Sequence, residues 1–165
     1  MKKTVTVTYP AEPQRVTQML ADPRYLRGRL SRVDLEDAEV EVTERGRGFV
    51  STVRGQVPSS RLPQAAARFV RSAVGFALSE SWGEPADDGA RDGSMEVTVS
   101  GAPVRLGARL RLRPATTQVT TLTMDLDLGV NVPLLGRSLE DKAMSMVDAV
   151  VTDEERRAAA WLADH

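Results

Sequence analysis

The chain has no cysteine, which removes disulfides, thiolate metal sites and cysteine nucleophiles from consideration. It suits a reducing compartment, and a cytoplasmic location is the expectation. Histidine is almost as scarce, with His165 the only one. A frayed chain end is a poor place for a general base. Without a second histidine, neither a Ser-His-Asp or Cys-His site nor an imidazole zinc site can be assembled. Lysine is confined to Lys2, Lys3 and Lys142, and the rest of the 22 basic residues are arginine. Against 23 acidic residues they leave a net charge of −1, with the signs mixed along the chain, so no nucleic-acid partner is expected. No apolar run approaches the roughly 18 residues that a transmembrane helix needs. Met1-Lys2-Lys3 is followed by alternating residues, Thr4 to Tyr9, where a signal peptide would be continuously apolar. Aromatic residues make up only 4% of the chain, so few large rings are available to fill an interior.

What is there reads as one globular domain spanning residues 1–165, with 41% hydrophobic and 27% charged residues. Val5, Val7 and Tyr9 alternate with threonines, the period of a half-buried strand, and Pro10 ends it. Two short helices follow, one with Pro13 in its first turn and Val16, Met19 and Leu20 on one face. The other opens at Asp22-Pro23 and carries Tyr25, Leu26 and Leu30. Six more strands are predicted over 37–44, 49–57, 76–84, 93–100, 104–113 and 118–130. Their short Gly-, Pro- and Asp-bearing loops require antiparallel neighbours. The stretch 59–74 breaks the strand rhythm and reads as an extra helix, with Leu62, Ala66, Phe69, Val70 and Ala73 on one side. From Pro133 onward the pattern is one long helix with Leu135, Leu139, Ala143, Met146, Val150 and Trp161 near one stripe. Gly136 would be costly in mid-helix, so the helix is expected to start after it. The fold class is therefore α+β: a seven-stranded, curved antiparallel sheet covered by a C-terminal helix.

The hairpin from Val104 to Val130 separates inside from outside. Leu106, Ala108, Leu110 and Leu112 share one face, and Arg105, Arg109, Arg111 and Arg113 share the other. Setting Leu110 opposite Leu122 places Arg105 opposite Asp127. The arginine row then reads as a solvated outer face paired with acids. The same pairing accounts for Asp125-x-Asp127 better than a cation does, and no metal or cofactor is expected.

Specific segments resemble a known superfamily. Thr4-Val5-Thr6-Val7-Thr8-Tyr9-Pro10 leads into Val16-Thr17-Gln18-Met19-Leu20-Ala21-Asp22-Pro23. Leu62-Pro63, Ala67-Arg68-Phe69-Val70, Ser79-Glu80-Ser81-Trp82 and Val132-Pro133-Leu134-Leu135-Gly136 with Glu140 follow in order. Together they resemble the START-like superfamily, also called the Bet v 1, polyketide cyclase/dehydrase or SRPBCC fold. Within it they look like an actinobacterial branch whose function is not assigned. The resemblance implies a helix-grip architecture and a cavity between the sheet and the terminal helix that takes a small hydrophobic molecule, such as a lipid or polyketide. It implies no catalytic residues. Residues 59–74 depart from it, since many relatives have a plain hairpin there. That segment is either a lid or a packing element at the open end of the sheet.

The candidate cavity lining is Phe49, Phe69, Phe76, Glu80, Trp82, Met95, Leu106, Met124, Met146 and Val150. Glu80 divides two readings. With Ala77, Ser79 and Ser81 facing inward, the preferred parity, Glu80 is solvated. With Phe76, Leu78 and Trp82 inward, it is a carboxylate in an apolar pocket, paired with arginine or raised in pKa. Three functions stay open: a non-catalytic binder or carrier, an enzyme of cyclase or dehydratase type, and a protein-interaction module with a filled cavity. The enzyme would draw its acid–base groups from Glu80, Tyr9 or Tyr25.

Overall fold

A computed structural model describes the whole chain except residues 34, 36, 63, 69, 71 and 72. The elements run β1 (Lys2–Tyr9), α1 (Pro13–Leu20), α2 (Pro23–Leu30), β2 (Glu39–Arg45), β3 (Gly48–Val57), α3 (Gln64–Ala67), β4 (Val74–Trp82), β5 (Arg91–Ser100), β6 (Val104–Thr116), β7 (Val119–Val130) and α4 (Gly136–Asp164). Single 3-10 turns occupy Ser31–Val33 and Ser59–Arg61. The seven strands form one antiparallel sheet in the order β1-β7-β6-β5-β4-β3-β2. β2 to β7 is thus an uninterrupted meander, and β1 closes onto its last strand. The two edge strands, β1 and β2, are joined through α1 and α2.

Local chemistry explains the boundaries. Pro13 begins α1, where its missing N–H is no loss. Asp22 caps α2 by accepting from the Arg24 backbone N–H at 2.8 Å. Gly46, with φ of +60°, supplies the left-handed residue that the two-residue β2–β3 turn requires. α4 begins at Gly136 itself rather than after it, at a point where a Cβ would stand 2.3 Å from the Val130 carbonyl oxygen. Glycine is needed for that close approach, and at the first helical position the mid-helix penalty does not apply. Glu140, one turn on, accepts from the Val130 N–H at 2.9 Å and ties the helix start to the end of β7.

The inner face of the sheet carries Val5, Val7, Tyr9, Leu110, Leu112, Leu122, Leu126 and Leu128, all buried against α1 and α4. The hairpin faces are as expected, but the register is two residues longer. Leu110 pairs with Met124, Arg109 with Asp125, and Arg105 with Gly129 rather than Asp127. The reason lies at the turn: β6 continues past Pro114 to Thr116 and the chain reverses over residues 117 and 118, while a bulge between Pro114 and Thr116 takes back one residue and keeps the leucines of the two strands on one face. A shift of two keeps every side chain on its side. The outer arginines still meet acids, Arg111 with Asp125 at 2.6 Å and Arg113 with Asp92 at 2.5 Å.

Two further expectations change. The helical signal over 59–74 is realised as the 3-10 turn and the single turn α3, and β4 already begins at Val74. The inward stripe of α4 is rotated by one residue. Met144, Glu154, Ala158 and Leu162 are buried and Val147 and Val151 half-buried, whereas Met146 and Val150 are 58% and 45% exposed. Spacings of three and four from Met144 to Leu162 define the true face. The expected stripe skipped from Val150 to Trp161 and passed over Glu154.

Candidate functional site

A cavity of about 360 Å³ lies between the inner face of the sheet and α4. Its walls are apolar side chains from six strands, including Val53, Phe76, Leu78, Met95, Leu106 and Met124, facing Ala143, Met146, Val147, Val150 and Val151 of α4. Met146 and Val150 line it while remaining exposed, so they stand at its rim. One end is polar. Tyr9 from β1, Arg29 from α2, Arg32 from the following 3-10 turn, Glu80 from β4 and Glu154 from α4 converge there.

Seven of the ten residues expected from sequence line this cavity: Phe76, Glu80, Met95, Leu106, Met124, Met146 and Val150. Phe49 and Trp82 do not. Both are buried and stack on each other with ring centroids 6.4 Å apart, and Trp82 reaches the site only through its indole N–H. Phe69 lies outside the described residues.

Glu80 is 6% exposed and faces inward, which corrects the preferred parity. Burying Phe76, Leu78 and Trp82 outweighs the cost of one carboxylate because that carboxylate has partners. Arg29 Nη1 donates to its Oε1 at 3.2 Å, and Trp82 Nε1 to its Oε2 at 3.4 Å. Across the β3–β4 ladder Glu80 is paired with Ser51, which is fully buried and whose hydroxyl has no hydrogen-bond partner.

Glu154, 4% exposed, is the centre of the cluster. Arg29 donates to it through Nη2 at 2.9 Å and Nε at 3.1 Å, and Arg32 through Nη2 at 2.5 Å. The Tyr25 hydroxyl donates at 2.7 Å and the Tyr9 hydroxyl at 3.4 Å. Arg32 Nε also lies 2.6 Å from Asp153. Burial alone would raise the Glu154 pKa, but Arg29, Tyr25 and Arg32 together outweigh it and hold it at about 2. Burial, reinforced by Glu154, pushes both tyrosines well above the ordinary phenol range. For Arg29, burial is opposed and exceeded by Glu154 and Glu80, so its pKa moves up and it stays charged.

The expected acid–base candidates Glu80, Tyr9 and Tyr25 are therefore brought together. Arg29, Arg32 and Glu154 were missed. Their signal was present: Glu154 is the one charged residue in the run Val147, Val151, Glu154, Ala158, Leu162, and a charge on an apolar stripe asks for a buried partner. A broader groove of about 790 Å³ on the outer face runs among Lys2, Arg105, Arg109, Glu96, Asp125 and Asp127. It belongs to the charged outer surface already described.

A curved antiparallel sheet gripping a long C-terminal helix, with an apolar cavity between them, is the START-like fold. Residues 4–162 match the family described as Protein of unknown function (DUF2505), and the chain belongs to it. The uncharacterized protein Rv0481c of Mycobacterium tuberculosis is 23% identical over 168 residues, covering 98% of this chain and 96% of the relative. Among solved structures, a START superfamily protein from Mycobacterium smegmatis superposes with a TM-score of 0.57 at 15% identity, covering 95% of this chain and 96% of that one. The ZhuI aromatase/cyclase from a Streptomyces species gives 0.52 at 18% identity, covering 98% and 90%. At such identities the likeness is one of fold. Among the described residues, no helix is long and apolar enough to cross a membrane.

Proposed function

We propose that this protein is a non-catalytic binder or carrier of a small hydrophobic molecule, held between the sheet and α4. The observation that carries the reading is the cavity itself: concave, walled by apolar side chains, and polar only at one end. Three of its walls are methionines, which adapt to varied apolar shapes. Four groups at the polar end are poorly suited to acid–base chemistry near neutrality. Glu154 is held at about 2, both tyrosines are pushed up, and Arg29 cannot release a proton.

One observation favours a second reading, an enzyme of cyclase or dehydratase type. Glu80 is a buried carboxylate that reaches an apolar cavity, and one protein of this fold is an aromatase/cyclase. The interaction-module reading needs a filled cavity and loses support from an open one.

The test is native mass spectrometry of freshly purified protein before and after extraction with organic solvent. A discrete added mass that the solvent removes is the expected result. A bare mass that persists after incubation with a panel of lipids and polyketides would refute the carrier. Conversion of a bound compound to a product of different mass would move the assignment to the enzyme.

A further inference from the structure

The two buried carboxylates of the cavity differ in how fully they are used. Glu154 accepts from Arg29, Arg32, Tyr25 and Tyr9, which saturates its oxygens. Glu80 has two long contacts, 3.2 Å to Arg29 and 3.4 Å to Trp82, and a carboxylate offers about four acceptor positions. Beside it the Ser51 hydroxyl is fully buried and unpartnered. Buried polar groups in folded proteins are normally satisfied, so this corner holds spare hydrogen-bonding capacity: accepting at Glu80, both kinds at Ser51, and donating at Arg32 Nε, which faces Asp153 as an ion pair without a hydrogen bond. It holds no spare positive charge. All three nitrogens of Arg29 are engaged, Nε and Nη2 on Glu154 and Nη1 on Glu80. Arg32 is divided between Glu154 and Asp153.

We propose that the molecule bound in this cavity presents an uncharged hydrogen-bond donor, an alcohol or phenol hydroxyl, to Glu80, and that free carboxylates and phosphates are rejected. The inference rests on the reading of the cavity as a binding site for a small apolar molecule. A hydroxyl satisfies the open positions on Glu80 without adding charge. A second anion would meet the Glu80 carboxylate in an apolar enclosure, with each nearby cation already paired. An alkyl ammonium would gain Glu80 but give up its own hydration, and Arg29 already neutralises that carboxylate.

The methyl groups of Met95, Met124 and Met146 line the cavity and give a direct readout by carbon-13 methyl NMR, with Met19 in the packed core as control. The wild-type protein is titrated at neutral pH with decane, 1-decanol and decanoate, below their aggregation limits. The expected result is saturable shifts of the three cavity methyls, with 1-decanol tighter than decane by roughly tenfold or more, as for a hydrogen bond to a charged group, and decanoate weaker than 1-decanol. In Glu80→Gln the carboxylate charge is gone and Arg29 keeps only Glu154, so the preference moves toward decanoate. Equal binding of decane and 1-decanol, or decanoate at least as tight as 1-decanol, overturns the inference and leaves the carrier reading standing. Failure of all three to shift the methyls defeats the carrier reading and this inference with it. Should Glu80→Gln not fold, the wild-type ranking decides alone.

Discussion

Arg29 of α2 grips Glu154 of α4 from two nitrogens, at 2.9 and 3.1 Å, and so fastens the N-terminal helical segment to the last helix of the chain. Tyr25 and Arg32 reinforce the same joint. Replacing Glu154 by Gln leaves two guanidinium groups short of a buried counter-charge. A one-sided break of a buried pair costs about 3–5 kcal/mol. Chemical denaturation of Glu154→Gln is expected to show a loss of that size, with the slope against denaturant unchanged. A loss comparable to that of an exposed carboxylate would mean that the cluster does not hold the helices together.

The same joint makes stability depend on pH. The Glu154 pKa is lowered from its ordinary 4.5 to about 2 in the folded protein, the combined work of Arg29, Tyr25 and Arg32 against burial. Its contribution is fully present above the unfolded value and is lost as pH falls from there through the folded value. The size is on the order of 3 kcal/mol. Unfolding midpoints measured between neutral pH and pH 2 are expected to fall across that window, and Glu154→Gln is expected to flatten the fall. A wild-type curve no steeper than the variant's would contradict the assignment.

The strands, the hairpin faces and the covering helix were legible because each depends on a short-range period. Val5, Val7 and Tyr9 announce an inward face within five residues, and the row from Arg105 to Arg113 announces an outward one. The parity of β4 was not legible in the same way. Two inward sets were possible, and the choice depends on an arginine 51 residues upstream that makes a buried Glu80 tolerable. The cluster also failed to show because its members come from four distant segments, and only the packing of α4 against α1 and α2 joins them. The β6–β7 register depends on how far β6 runs before the turn and on a bulge beside Pro114, neither of which alternation alone reveals.

Gly93 offers a test of the packing around Trp82, whose indole N–H reaches Glu80. A Cβ there would lie 2.6 Å from the Ser81 carbonyl oxygen and 2.9 Å from the Trp82 ring. The backbone oxygen cannot yield cheaply, so Gly93→Ala forces a shift of Trp82 at a cost of about 1–3 kcal/mol. Lower thermal stability together with an altered near-ultraviolet circular dichroism signal from the indole is the expected outcome. An unchanged spectrum and melting temperature would show that β4 and β5 have slack at this point.

Filling the cavity separates its role in binding from its role in stability. Val97 lines it from β5 in the middle of the sheet, and replacement by Phe adds apolar volume where about 360 Å³ is available. In a packed core such a substitution is strained. Here the ring has space and gains contacts that valine lacks, so stability is expected to hold or rise by about 1 kcal/mol. Binding is expected to fall, because the ring and the ligand compete for one volume. Thermal denaturation and native mass spectrometry of Val97→Phe measure the two effects on one sample. A stable variant that has lost the solvent-extractable mass would place the ligand against the sheet beneath α4. A stable variant that keeps that mass would place it elsewhere. A destabilised one would show that the cavity walls are too rigid to accept the ring.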